Sequence, residues 1–95
     1  MLLDKSISVG DVITLKLVGG EELIARFESE EDAYVKVNRP LSIVATSSLG
    51  MIPWIFLGAS ETVKINRHSI VAGPMLSKKE AADQYLQGTT GIALA

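Results

Sequence analysis

Three short runs carry the side chains best suited to chemistry. Asn66-Arg67-His68 sets an amide, a guanidinium and an imidazole side by side. Arginine and histidine stack on or hydrogen-bond to a nucleobase, and asparagine reads its edge, so a turn that pushes all three outward would suit RNA. The plainer reading, a polar hairpin turn, is the one the residues alone favour. Trp54 and Phe56, two apart in an extended run, would share one strand face as a stacking platform. Burial in a core or between subunits is the favoured reading, because aromatic side chains dominate both. Glu28, Glu30, Glu31 and Asp32 crowd into one stretch, where a hydrated turn explains them better than a catalytic carboxylate pair.

Nothing else in the chain assembles a catalytic set. There is no glycine-rich loop followed by lysine, no HExxH and no GxSxG pattern. His68 stands next to Ser69 without a third group marked to orient it, so no enzyme activity is expected. The absence of cysteine excludes disulfides and thiolate metal sites. A single histidine argues against structural zinc, and no cofactor is expected.

Charge and hydropathy narrow the partners. The formal charge is −2 and the isoelectric point about 5.3, whereas proteins that bind long DNA present a basic surface to the phosphates. Extended DNA binding is therefore not expected, although a small local site remains open. The longest apolar run, Leu49 to Ala59, is interrupted by Gly50, Pro53 and Gly58, and reaches about half of the roughly 20 residues a bilayer span needs. Met1-Leu2-Leu3 is followed at once by Asp4, with no basic region and no h-region of a secretory signal. A soluble, cytoplasmic protein without a membrane partner is expected.

The elements that must position these runs are mostly strands. Ninety-five residues suit one domain with a modest core. Residues 1–9 form a short leader in which Leu2, Leu3, Ile7 and Val9 could dock. Gly10 to Pro40 reads as three strands of a meander. Ile13, Leu15 and Leu17 alternate with Thr14 and Lys16; Leu23, Ala25 and Phe27 alternate with Glu22, Ile24, Arg26 and Glu28; Ala33, Val35 and Val37 alternate with Tyr34, Lys36 and Asn38. Gly19-Gly20 and the acidic run Ser29 to Asp32 are the turns. Asn38-Arg39-Pro40 interrupts the third strand, since proline cannot donate to a ladder, and extended structure resumes over Leu41 to Ala45. A loop over Thr46 to Gly50 leads to an apolar strand over Met51 to Leu57. Gly58-Ala59-Ser60 then makes a bulge or tight turn before alternation restarts over Thr62 to Ile65. A last short strand, Ser69 to Ala72, ends at Gly73-Pro74. Five strands result, the third and fourth long and bent, which is how a small sheet curls. Ser77-Lys78-Lys79-Glu80 has the form of a capping box, Ala81, Ala82, Tyr85 and Leu86 fall on one face at helical spacing, and Gly88 is placed as a terminator. These predict a helix over 77–87 and an uncharged tail over 88–95, either frayed or docked through Ile92 and Leu94.

The order of these features resembles the Sm/LSm superfamily, whose divergent members include ones encoded by bacteriophages. Leu15-Lys16-Leu17-Val18-Gly19-Gly20, Leu23-Ile24-Ala25-Arg26-Phe27 and Asp32-Ala33-Tyr34-Val35 resemble its first motif. Ile65-Asn66-Arg67-His68-Ser69-Ile70 resembles its second, nearest to the run found in the bacterial RNA chaperone Hfq. The resemblance covers about Gly10 to Pro74. It implies a strongly bent, five-stranded antiparallel open barrel over residues 10–74; with the helix read above from residue spacing, the expected fold is all-β with one short helix after the barrel. It also implies protomers joined edge to edge, fourth strand to fifth, in a homo-oligomeric ring of five to seven. Short single-stranded RNA would be held at the pore, with Asp32, Tyr34, Lys36, Asn66, Arg67 and His68 in the binding positions. Lys36 stands where the family usually has asparagine, and Ala25 where it has glycine. The arginine-glycine pair of the archaeal and eukaryotic second motif is missing, and the helix follows the barrel instead of preceding it. A protein-interaction or assembly module that keeps the ring and lacks the RNA site is the alternative. The open edges of a five-stranded sheet call for oligomerisation independently of any family, since unpaired edges are a hazard unless covered or paired.

Overall fold

The computed structural model describes residues 6–89. The expectations for Leu2 and Leu3, and for Ile92 and Leu94, lie outside the described residues. Within them the chain forms β1 (Val12–Leu17), β2 (Glu22–Glu30), β3 (Tyr34–Ala45), β4 (Leu49–Pro53), β5 (Thr62–Asn66), a 3-10 turn (Arg67–Ser69), β6 (Ile70–Leu76) and α1 (Lys79–Thr89).

All pairings are antiparallel, in the order β4-β3-β2-β1-β6, with β5 also paired to β3. The meander β1-β2-β3 has the expected form. Gly20 takes φ +102° in the first turn, a region where a Cβ would be strained. Its alternating apolar residues fill one core: Ile13, Leu15, Leu17, Leu23, Ala25, Phe27, Val35 and Val37, joined by Ile65 of β5. Burying a side chain of this size contributes about 1.5–3 kcal/mol, so this cluster dominates the fold. Bulges in the β2–β3 and β1–β6 ladders bend the strands and increase their twist, curving the sheet around that core.

The strand count is six where five were expected. The single long fourth strand is two, because the ladder stops at Pro53 and restarts at Thr62. Residues 54–61 form a loop across the gap, so the strand expected over Met51 to Leu57 ends four residues early. Trp54 and Phe56 accordingly do not share a strand face: Trp54 packs against the main core, and Phe56 stands in the loop, 72% exposed. The third strand is long and bent, as expected. β5 pairs with residues 34–38 of β3, and β4 with residues 41–45.

The bend lies at Arg39, whose φ of +50° is a left-handed conformation that non-glycine residues rarely adopt. Several bonds hold it there. The Arg39 amide donates to the Glu61 carbonyl at 2.7 Å, and its guanidinium pairs with the Glu61 carboxylate at 2.9 Å. The guanidinium also donates to the carbonyl of Thr89 in the last turn of α1, where the helix dipole favours a cation. The Tyr85 hydroxyl donates to the carbonyls of Asn38 and Arg39 at 3.0 and 2.9 Å.

Helix α1 covers part of the outer face of the sheet and creates a second core, in which Val12, Ile24 and Tyr85 are buried against Leu41, Ile43, Met51, Ala81, Ala82 and Leu86. Ile24, grouped above with the polar face, is therefore 1% exposed. The helix spans Lys79–Thr89 in place of 77–87. Ser77 does not cap it, because its hydroxyl shares a hydrogen bond with Thr14 Oγ1 at 2.7 Å. Gly88 lies inside the last turn, where helical backbone costs glycine only about 1 kcal/mol relative to alanine. No helix among the described residues is long and apolar enough to cross a membrane.

Candidate nucleic-acid interface

Two features meet on the polar side of the β3–β5 ladder and at its end. In this ladder Tyr34 faces Asn66, Lys36 faces Lys64 and Asn38 faces Thr62. Cross-strand partners point to the same side of a pleated sheet, so these six form one patch while Val35, Val37 and Ile65 point into the core. Tyr34 and Lys36 are half-buried and Lys64 is exposed. The Lys64 ammonium sits 4.8 Å from the centroid of the Tyr34 ring, within the range where the ring's negative face attracts a cation. Asn38 Nδ2 donates to Thr62 Oγ1 at 3.2 Å.

Lys36 and Lys64 are directly opposed like charges, an arrangement that destabilises a strand pair by a few tenths to about 1 kcal/mol. Among the described residues neither has a carboxylate partner. Beside Lys64 is a depression of about 290 Å³ whose lining includes Trp54, Asn66, Ser69 and Gly19. Lys64 thus meets the Tyr34 ring in the ladder and shares the lining of the depression with Trp54 and Glu21.

The end of the ladder is different. The 3-10 turn meets the acidic turn, with the Arg67 amide donating to the Ala33 carbonyl at 3.0 Å. Asn66 Oδ1 accepts from the His68 amide at 2.9 Å and so caps the 3-10 turn. Arg67 Nε donates to the Glu31 carbonyl at 2.8 Å, and its Nη2 pairs with Glu30. The structure thus separates the six candidate residues. Tyr34 and Lys36 join the exposed patch. Asn66 and Arg67 tie the turns together, and most of Arg67's charge is met by Glu30. His68 is exposed beside them, and Asp32 is exposed in the acidic turn. Lys64 is the residue missed from sequence. Its place in the alternation Thr62-Val63-Lys64-Ile65-Asn66 puts it on the face of Asn66, but only the register sets it opposite Lys36.

Among the described residues Tyr85 is the one buried side chain that carries a titratable group, and no group of three or more metal-ligating side chains occurs. Tyr85 is the titratable group most altered by folding, its pKa pushed up to about 12 by burial. No family model matches the chain, and no curated protein matches it in sequence.

Proposed function

We propose that this chain is an Sm-like, non-enzymatic binding module that assembles edge to edge into a ring of five to seven copies and holds short single-stranded RNA. The observation that carries the RNA reading is the opposed pair Lys36 and Lys64 beside the Tyr34 ring. Two lysines opposed in register and in no salt bridge are relieved by a bridging phosphate, and an adjacent aromatic face offers a base somewhere to stack. The 290 Å³ depression at Trp54 gives a second base a place beside the same lysine. Edge-to-edge assembly is supported by two free edges, the outer side of β4 and β5 and the outer side of β6, neither of which has a ladder partner among the described residues.

Fluorescence anisotropy with oligo-U and oligo-A at low salt tests this reading. Lys36→Ala with Lys64→Ala should abolish most binding, whereas Arg67→Ala with His68→Ala should weaken it less, because Arg67 is already paired. Equal losses would move the site to the 3-10 turn.

A second reading has its own observation. Glu30 occupies Arg67, and Glu31 and Asp32 add negative charge at the same turn, which repels phosphate. An assembly or protein-interaction module without an RNA site fits that turn, and no binding at low salt by the unaltered protein would establish it over the first.

A further inference from the structure

The loop over residues 54–61 is anchored at both ends and apolar at its tip. At one end the Trp54 amide donates to the Pro40 carbonyl at 3.1 Å and its ring packs on the main core. At the other, Glu61 is bound to Arg39 through both backbone and side chain, and the Ser60 hydroxyl accepts from the Thr62 amide at 3.1 Å. Between these anchors Ile55, Phe56 and Leu57 are 44%, 72% and 98% exposed. Side chains this apolar, presented together on a braced loop, mark a contact surface.

The same chain carries a matching recess. A groove of about 380 Å³ runs between the sheet and the start of α1, lined by Ile24, Ile43, Leu49, Met75, Leu76 and Ala81 among others. Its lining is mainly apolar, and it reaches β6 at Met75, itself half exposed. The tip interrupts the open edge formed by β4 and β5, while the groove crosses the sheet from Leu49 of β4 to Met75 of β6, at the other open edge. Joining the first edge of one copy to the second edge of the next brings tip and groove to one interface, a head-to-tail contact of the kind from which rings are built when the rotation between copies closes.

We propose that Ile55-Phe56-Leu57 of each copy seats in the Met75–Ala81 groove of the next copy. The inference rests on the edge-to-edge assembly above and names the contact that holds it. Charge selects a second copy over a lipid surface. A membrane-inserting tip draws on flanking cations to reach anionic headgroups. Here no charged residue lies between Arg39 and Glu61, and those two neutralise each other at 2.9 Å.

The chain has no cysteine, so site-directed crosslinking is free of background. Leu57→Cys and Met75→Cys, made in separate full-length chains and mixed under air oxidation, should give a disulfide-linked heterodimer as the main product. Both positions are exposed, so neither variant threatens the fold. Phe56→Ser with Leu57→Ser should raise the concentration at which the oligomer dissociates roughly 100-fold or more, as loss of a central apolar anchor does. An oligomer in native mass spectrometry without the mixed crosslink overturns the tip-in-groove contact and leaves edge assembly standing. A monomer at micromolar concentration overturns both. Crosslinking of Leu57→Cys only to itself overturns the head-to-tail order, and co-sedimentation of the unaltered protein with anionic vesicles without crosslinking assigns the tip to lipid.

Discussion

The two halves of β3 serve opposite purposes although they belong to one strand. Residues 34–38 pair with β5 and turn Tyr34, Lys36 and Asn38 outward into a patch that two lysines make cationic. Residues 41–45 pair with β4 and turn Leu41 and Ile43 against α1. The outer face changes from polar to apolar at Arg39. Chemistry explains the change, since no charged residue occurs from Pro40 to Ser60. The left-handed turn of Arg39, held by Glu61, Tyr85 and the end of α1, keeps the halves apart. The helix thus covers one half of the outer face and leaves the other half polar.

Removing the anchor of the covered half should break the comparison most. Tyr85 is 1% exposed and its hydroxyl meets two carbonyls at the bend. Tyr85→Ala is expected to cost about 3–5 kcal/mol, as large-to-small changes of buried aromatics do. Hydrogen exchange should show protection lost first over Leu41–Ala45 and Leu49–Pro53 and retained longer over Tyr34–Asn38 and Thr62–Asn66. Uniform loss across β3 would mean the halves are one cooperative unit.

A smaller effect separates the hydroxyl from the ring. Burial holds the Tyr85 pKa at about 12, above the usual 10.0. Between these values the unfolded chain releases the proton while the folded chain keeps it, so the unfolded state binds fewer protons and stability falls as pH rises. Melting temperatures should therefore drop between pH 10 and 12, and Tyr85→Phe should flatten that limb. The same variant should cost about 1–2 kcal/mol near neutral pH through its lost hydrogen bond. An unchanged alkaline limb would place the cause elsewhere.

The smallest effect belongs to the cationic half. Lys64→Ala relieves the repulsion with Lys36 but forfeits the contact with Tyr34. Denaturant unfolding should show a change within about 0.5 kcal/mol. A large loss would mean that the lysine holds the ladder together and is not reserved for a ligand.

What could be read from sequence divides in the same way. The meander was legible because Ile13 to Val37 alternate and Gly20 marks a turn only glycine makes easily. The helix was legible from the spacing of Ala81, Ala82, Tyr85 and Leu86, but not its ends: the hydroxyl of Ser77 goes to Thr14, a partner 63 positions away. Ile24 was assigned to the wrong face because period-2 alternation assumes one covered side, whereas α1 covers the second. The run from Met51 to Leu57 has no polar alternation, so its pattern could not distinguish a strand from a loop; Pro53 ends the ladder there. The site was legible only in part. Tyr34 and Lys36 follow from the third strand's alternation, but Lys64 needs the register, and the pairing of Arg67 with Glu30 joins turns 37 residues apart.

The central claim is that the opposed lysines, not the arginine-histidine turn, meet an anionic strand. The most direct measurement is the salt dependence of oligo-U affinity for the unaltered protein and for Lys36→Gln with Lys64→Gln. Each phosphate contact on a single strand adds about 0.7 to the slope of log affinity against log salt. The account predicts that the double variant loses about 1.4 from that slope along with most of its low-salt affinity. An unchanged slope, with binding retained, would contradict it.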